Sequence, residues 1–483
     1  MPQKFPNKTF IDSENNLYVT GSNEAGNIFF MKFNPENLVA ASNVLFNSGG
    51  QDKGVDIYAD EANNVIYVAG YKYNGFTQKY DFLLAKFTGS DGQLIWERTF
   101  GFPGSTNDMA YSLEFKGVDG IFLCGVTTQT NGDHNFAAVC YNESGTLIWS
   151  NEKVRPGDEV ATTIDSDAGH IYIMGTKTED FNPLMHDMVM LTYYLDGTEV
   201  DYNAVVRPGT DEYATSLKLI NPSQSRPIMS RAVIVGYSIS QFSRKSTTRF
   251  ITAYFEIYLD GTDLDTLWVR EFGTENKENV ATSVSEYLNG DVAVSGYYFN
   301  PLTNSTDFGT LKYQGSSGTL LWGPEYYDNN AGIDKASSMR RNGLQIAVSG
   351  YSQYNLNSFV IASFTEGSSN INLDWANLYT PDYLGGDNSL LYHTTETHVL
   401  SDSSIMCVVS SWNSMFSRFS AVKYDKFGNL TGILNPYNAV SKPAGNTEKV
   451  KTAVISRIYP NPFNPVANVS LSLPEDSYVN ITV

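Results

Sequence analysis

Residues 54–100 read GVDIYADEANNVIYVAGYKYNGFTQKYDFLLAKFTGSDGQLIWERTF, and four strands can be marked off within them: GVDIYAD (54–60), VIYVAGY (65–71), DFLLAKF (81–87) and QLIWERTF (93–100). Each run is short, rich in Val, Ile, Tyr and Phe, and bounded by turn residues. No stretch of helical length with a 3.6-residue apolar period occurs anywhere in the chain. The separators Glu61-Ala62-Asn63-Asn64 and Thr88-Gly89-Ser90-Asp91-Gly92 are hairpin turns by composition, since Gly and Asn tolerate positive φ while Asp and Ser bond back to the local backbone. Several runs are apolar on both faces rather than alternating, the pattern of a strand covered from either side by neighbouring sheets.

The second of these strands recurs along the chain. It reads LYVTG ending at Gly21, IYVAG at Gly70, IFLCG at Gly125, IYIMG at Gly175, AVIVG at Gly236, VAVSG at Gly296 and IAVSG at Gly350. An eighth copy, CVVSS, places Ser411 at the glycine and Trp412 where Tyr71, Tyr237, Tyr297 and Tyr351 stand in other copies. The intervals of 49, 55, 50, 61, 60, 54 and 61 residues define a repeat of one four-stranded sheet. Sheets of this kind stacked around an axis form a β-propeller, which disposes of its edges by closing on itself. The units resemble the bacterial SBBP-type propeller repeats, with an aspartate, a GN-I-Y-V-x-G strand, a D-F strand and a G-x-L-x-W strand, over roughly residues 8 to 432. Eight units can be counted, whereas that family's usual ring has seven. The expected fold is therefore all-β, a propeller of seven or eight four-stranded blades over residues 1–432.

Trp96, Trp149, Trp268, Trp322 and Trp375 each fall in the fourth strand of a unit, in GQLIW, GTLIW, DTLW, GTLLW and NLDW. One indole per blade at one position reads as a packing plug between blades. The same strand also resembles the repeats of pyrroloquinoline-quinone enzymes and their non-catalytic relatives. Here it comes without a vicinal Cys pair or clustered calcium ligands, and a quinone enzyme needs a metal to polarise its carbonyl. Cys124, Cys140 and Cys407 lie inside strands. Hairpin pairing symmetric about residue 130 would set Cys124 opposite residue 136 and not opposite Cys140, so buried free thiols are expected. His134, His170, His186, His393 and His398 are scattered and read as loop residues. H-E-x-x-H, G-x-S-x-G and P-loop motifs are absent from the sequence.

The chain has 483 residues, with 52 acidic against 32 basic side chains, a formal charge of −20 and a pI near 4.6. That balance repels nucleic acid and anionic membranes and keeps a sheet-rich protein soluble. No apolar run reaches membrane-spanning length. A monomer is expected.

A connector at 433–452 leads to ISRIYPNPFNPVANVSLSLPEDSYVNITV. The block Tyr459-Pro460-Asn461-Pro462-Phe463-Asn464-Pro465, an alternating strand, Leu473-Pro474 and a second strand Val479 to Val483 resemble the start of type A sorting domains of the type IX secretion system. The resemblance implies an immunoglobulin-like sandwich, represented at 453–483 by its first strands only, and export by that machinery to the outside or outer surface of the cell. Two strands cannot bury a sandwich core. Met1-Pro2-Gln3-Lys4-Phe5 lacks the basic and apolar regions of a signal peptide. The expectation is thus a fragment of a longer exported product, which as written would stay in the cytoplasm.

One polar series repeats as well. Two residues before the small residue that opens each first strand stand Asp52, Asp108, Glu159, Glu212, Asn279 and Asp334. With first strands innermost, these side chains would ring one mouth of the central channel, where mutual repulsion would raise their pKa values or recruit calcium. The competing reading, which is favoured, has each one bonding to backbone N–H groups of its own turn.

The functional expectation is a binding or adhesion module without catalytic or cofactor residues, presenting loops to a glycan, polymer or protein. The loops at 221–230 and 238–248 differ in length from their counterparts, and Arg244, Lys245 and Arg249 form a local basic cluster. The alternatives are an extracellular polysaccharide hydrolase or lyase, for which no carboxylate pair is marked, and a structural scaffold. The turn Thr88 to Trp96 is similar to the Asp-box of sialidase propellers, though its Ser, Asp and Gly are adjacent.

Overall fold

The computed structural model describes residues 4–434 apart from 24, 37, 39, 47–49, 156, 180–181, 206, 208, 221–228, 241–247, 259–263, 275–276, 330–331, 355, 380–390 and 413–416, together with 454–459 and 468–472. Strand pairing divides the larger part into eight antiparallel four-stranded sheets, each from one consecutive segment: 4–46, 53–100, 107–153, 159–205, 210–272, 280–327, 334–379 and 391–434. Strands lie in chain order within each sheet. The first strands, Lys4–Ile11, Lys53–Asp60, Asn107–Phe115, Glu159–Ser166, Thr210–Ile220, Val280–Glu286, Asp334–Asn342 and Leu391–Val399, pack on one another in succession, and the last packs on the first. They surround the axis, and the fourth strands lie outermost. The chain is an eight-bladed β-propeller, which settles the count left between seven and eight.

Eight apolar clusters fill the eight gaps between neighbouring blades. The second strand Leu17–Asn23 is buried along its whole length, and Val65–Asn74 over its first six residues, because a sheet covers them on either side. The fourth strands are not covered in this way: Leu94, Ile95, Ile148 and Leu321 are exposed on the rim. Blade 8 borrows no strand from blade 1. Their joint rests on Leu17, Val19, Phe29 and Met31 against Leu400, Met406, Val408 and Phe419, with the rings of Phe29 and Phe419 stacked at 5.9 Å. Each such side chain contributes roughly 1.5–3 kcal/mol on burial.

The recurrent glycine has a local cause. Every first strand carries a β-bulge that leaves one residue unpaired: Asn7, Val55, Tyr111, Thr162, Thr215, Thr282, Ser337 and Thr395. The bulge drives a first-strand carbonyl toward the second strand. A Cβ on Gly70, Gly125, Gly175, Gly236, Gly296 or Gly350 would lie 1.8–2.0 Å from the oxygen of Lys53, Met109, Val160, Tyr213, Val280 or Lys335 respectively. In blade 8 the register differs from the sequence alignment. Val409, opposite Thr394 at the bulge, holds the glycine position, so Ser411 and Trp412 lie two residues beyond the places expected of them. Some bulge side chains also clasp the next blade. Asn7 Nδ2 donates to Gly54 O at 2.5 Å, Thr215 Oγ1 to Ala281 O at 2.8 Å, and Thr282 Oγ1 to Ala336 O at 3.2 Å.

The indoles sit between blades as expected. Trp149 Nε1 donates to Leu195 O, Trp268 to Gly315 O and Trp375 to Lys426 O, each in the following blade. A positive-φ turn glycine of the following blade packs against the ring, leaving no room for a Cβ: Gly145 by Trp96, Gly197 by Trp149, Gly318 by Trp268 and Gly428 by Trp375. All three cysteines are free and buried. The hairpin turns one residue later than the symmetric estimate, so Cys124 faces Ala138 and Cys140 faces Phe122. The histidines are not loop residues: all five stand on strands, and His170 is buried.

The chain forms two compact units, Met1–Ala439 and Val440–Val483. In the second, Val454–Tyr459 pairs antiparallel with Asn468–Ser472. The strand leading into the Pro-rich block is one that the sequence reading did not mark. Pro460, Asn461, Pro462, Phe463, Asn464, Pro465 and the strand expected at Val479 to Val483 lie outside the described residues.

Candidate functional site

The start of each innermost strand and the end of its paired second strand meet on one face of the ring, close to the axis. In blades 4 to 7 this rim carries an arc of half-buried aromatic residues. Tyr237, Tyr297 and Tyr351 each follow the bulge glycine and pair with the first strand at Tyr213, Val280 and Lys335. The rings of Tyr213 and Tyr237 stack at 5.0 Å. His186 lies 4.9 Å from Tyr213, whose hydroxyl is 2.9 Å from His186 Nδ1. Farther round, Lys335 Nζ sits 4.4 Å above the Tyr297 ring and 2.7 Å from Glu278 Oε2, while Tyr297 Oη donates to Glu278 Oε1 at 3.3 Å. Burial pushes the Tyr297 phenol up, with Glu278 and the nearby phenols of Tyr351 and Tyr237 adding to it. Burial likewise raises Tyr213, to about 12. A smaller group repeats the theme in blade 2, where Tyr80 meets Tyr71 at 5.3 Å and Tyr73 at 5.4 Å.

These phenols remain protonated at neutral pH and offer ring faces together with hydroxyl groups on a rigid frame. Such surfaces stack and hydrogen-bond at little entropic cost. The sequence reading noticed the tyrosine after the glycine only as a feature of the repeat. Glu278, Lys335 and His186 join it through the ring closure of the sheets, and spacing along one unit gives no sign of that.

The acidic series lies on the same face, one residue per blade junction. Each member is buried, between 0% and 3% exposed. Asp52 Oδ1 accepts Tyr73 N–H at 3.0 Å. Asp108 Oδ2 accepts Phe102 N–H at 2.9 Å and Ser105 Oγ at 2.7 Å, with Lys79 Nζ at 3.5 Å. Glu159 Oε1 accepts the Tyr202 hydroxyl at 2.6 Å, and Glu212 bonds Thr210 Oγ1. Asn279 donates to Thr248 O at 2.7 Å and accepts Phe299 N–H at 3.1 Å. Asp334 Oδ2 accepts Asn329 N–H at 2.7 Å. These bonds tie the connector of each blade to its own sheet or to the blade before. Burial raises Asp108, Glu159, Glu212 and Asp334, the last two to about 8 and about 6.

Deeper along the axis, the joint of blades 7, 8 and 1 gathers a charged group. Glu396, 6% exposed, accepts Lys8 Nζ at 3.3 Å, Thr9 Oγ1 at 3.1 Å and the Arg340 guanidinium. Burial would lift its pKa, but Lys8 and Arg340 hold it at about 2. Thr9 Oγ1 is 2.8 Å from His398 Nε2, and burial lowers that imidazole to about 4, so it is neutral at pH 7. Glu114 on the innermost strand of blade 3 is pushed up to about 7 by burial, with Ser166 Oγ donating at 2.5 Å. Arg244 and Lys245 lie outside the described residues, and Arg249 faces Glu271 at 3.5 Å.

No protein-family model matches the chain, and no curated protein does. Solved structures do match. The Dos1 propeller aligns with 8% identity and a TM-score of 0.43 over 74% of this chain and 81% of its own. Quinohemoprotein alcohol dehydrogenase ADHIIG from Pseudomonas putida HK5 aligns with 9% identity and a TM-score of 0.43 over 90% of this chain and 67% of its own. The corresponding enzyme from Comamonas testosteroni gives 10% identity and a TM-score of 0.40 with the same coverage. At such identities and scores the likeness adds nothing on chemistry. Among the described residues no helix is long and apolar enough to cross a membrane.

Proposed function

We propose that this propeller is a binding module that takes a glycan or similar polymer at the aromatic rim of blades 4 to 7. The observation that carries the reading is the arc His186, Tyr213, Tyr237, Tyr297 and Tyr351, flanked by the Lys335–Glu278 pair. Flat rings beside a few fixed polar groups suit a ligand with apolar faces and many hydroxyls. Export by the type IX secretion machinery and display at the cell surface are part of the proposal, supported by the sequence block Tyr459 to Pro465. The test is isothermal titration or affinity electrophoresis against a panel of soluble polysaccharides, with Tyr237→Ala and Tyr297→Ala as variants. One stacked ring contributes about 0.5–1.5 kcal/mol beyond its area, so each variant should bind up to roughly tenfold more weakly while its circular dichroism spectrum stays that of the folded propeller, with a lower melting temperature from the lost Tyr213 stack or Lys335 contact. Binding that survives both changes, or a wild type that binds no member of the panel, refutes the rim as a glycan site.

A polysaccharide hydrolase or lyase is the second reading, favoured by Glu114, a half-buried carboxyl near the axis that burial raises to about 7, in the range suited to a general acid. Reducing-end release by wild type and by Glu114→Gln separates the two readings.

A further inference from the structure

The junctions between blades carry a polar seam built from the start of one blade's third strand and the start of the next blade's first strand. Between blades 2 and 3 the seam holds two carboxylates, Asp81 and Asp108, and Lys79 places its ammonium 3.9 Å from the first and 3.5 Å from the second. Between blades 4 and 5 it holds Asp187 and Glu212, with Lys177 at 3.8 Å from Asp187 and Arg207 at 3.9 Å from Glu212. In both places a basic side chain stands beside the buried acidic pair, and at the second junction Glu212 also keeps its proton, as the cost of desolvating like charges requires.

Between blades 6 and 7 the corresponding carboxylates are Asp307 and Asp334, and both remain buried. The position of Lys79, two residues ahead of the third-strand aspartate, is taken by Ser305, whose hydroxyl donates to Asp307 Oδ1 at 2.5 Å. The position of Gly101, which follows the fourth strand, is taken by Asp328. A Cβ on Gly101 would point at Asp81 Oδ1 (2.6 Å) and at Lys79 Nζ (3.1 Å). Asp328 therefore directs a third carboxylate to the spot where the sister junction keeps its ammonium. Oxygens of Asp307, Asp328 and Asp334 all lie within 4.8 Å of one another.

A second observation concerns Asp334, whose orphaned oxygen has counterparts in Asp81 Oδ1 and Asp108 Oδ1 at the junction where Lys79 supplies the positive charge. Asp334 Oδ2 accepts Asn329 N–H, but its Oδ1 is shut off from water and meets no donor at hydrogen-bonding geometry. The full side chain is 0% exposed. An orphaned anionic oxygen in such a place costs several kcal/mol unless something supplies positive charge.

We propose that Asp307, Asp328 and Asp334 bind a hard divalent cation, calcium by the chemistry of the donors, at the junction of blades 6 and 7. All three donors are carboxylate oxygens with no thiolate or imidazole among them, which selects calcium or magnesium over zinc. Carboxylate oxygens gathered within 4.8 Å of one another can converge on one hard cation, and calcium accepts an irregular oxygen shell where magnesium demands a near-ideal octahedron. Asp307 is already oriented by Asn300 Nδ2 at 2.7 Å and Thr303 Oγ1 at 2.9 Å on Oδ2, so its carboxylate is held in place before any ion arrives. The ion would do for this junction what Lys79 does for the junction of blades 2 and 3, pinning two blades together.

The repeat supplies its own test. In the EDTA-stripped full chain, calcium added alone should bind in titration calorimetry and raise the melting temperature. Ser305→Lys should place an ammonium where Lys79 has one. It should fold, melt at or above the calcium-free wild type, and lose the site, with calcium affinity there falling at least a hundredfold. Asp334→Asn is nearly isosteric and adds no bulk, so it serves if the lysine variant does not fold, with the same loss expected. Asp108→Asn at the lysine-occupied junction should leave calcium binding unchanged. A wild type that binds no calcium, or a calcium isotherm of the same stoichiometry and affinity in Ser305→Lys and Asp334→Asn, overturns the proposal.

Discussion

Glu212 should make the propeller less stable as pH rises, and Glu212→Gln should remove that loss. The side chain is 0% exposed, and burial raises its carboxyl from 4.5 to about 8, with Thr210 and Arg207 only partly offsetting the cost. The native chain therefore retains a proton at pH 6 that the unfolded chain has released. Stability from this group is complete below pH 4.5, falls between pH 4.5 and 8, and is constant above that. At 1.36 kcal/mol per unit the displacement corresponds to about 5 kcal/mol, and relaxation of water and dipoles around a real carboxylate reduces this to roughly 2–4 kcal/mol.

The repeat shows that a carboxamide is acceptable at this position, because Asn279 fills it in blade 6. Its amide donates to the carbonyls of Thr248, Thr274 and Lys277 and accepts from Phe299 N–H. Glu212→Gln should thus match the wild type at pH 5 and exceed it at pH 8.5. For a cooperative unit of more than 400 residues, about 2.1 cal/mol/K per residue makes 1 kcal/mol close to 1 °C, so the gain is about 2–4 °C. The assay is a pair of thermal melts by circular dichroism at each pH. The difference between the two proteins at pH 8.5, minus that at pH 5, isolates this one group from the other titrations of an acidic chain. A difference that does not change with pH, or a variant destabilised equally at both, refutes the assignment of a buried neutral carboxyl.

Two further outcomes follow from the joints. Trp268→Ala should cost about 3–5 kcal/mol, since the indole is 5% exposed, stacks on Tyr254 at 5.0 Å and leaves Gly315 O without its donor, whereas Trp375→Ala, at a half-buried copy of the same position, should cost less than half as much in denaturant melts. Glu396→Gln should loosen the closure of blade 8 on blade 1 by about 1–2 kcal/mol at pH 7, discounted because Lys8 and Arg340 are 42% and 40% exposed, and the variant should match the wild type once the pH falls through 4.5 to about 2, where the wild-type carboxyl is also neutral.

Much of the fold was legible because its causes are local. Four apolar runs separated by Gly, Asn and Asp turns specify one sheet, and the sheet of 53–100 has its strands within two or three residues of the marked runs. The glycine could be seen but not explained. Its cause is a bulge on the neighbouring strand, which no residue type announces: Asn7, Val55, Tyr111 and Thr215 all occupy it. Where that glycine is missing, alignment by resemblance slid two residues, to Ser411, because Ser-Ser-Trp looks more like Ser-Gly-Tyr than Val-Val does. Pairing along the whole strand puts Val409 there.

The rim and the seam were harder to read for a different reason. Aligning units on their most apolar strand selects the positions that pack alike, and those are by construction the positions that cannot differ in chemistry. What separates one junction from another is a substitution in the polar positions around that strand, Lys79 against Ser305 and Gly101 against Asp328. Each is unremarkable alone, since serine before a strand and aspartate in a connector are ordinary turn residues. Their meaning comes from the pair: the change that removes the cation and the change that adds an anion fall on two positions that touch only when third strand, fourth strand and the next first strand converge. In a repeat protein the frame is therefore read from what recurs, and the candidate ligand sites from a cation that one junction keeps and a sister junction replaces with a further carboxylate.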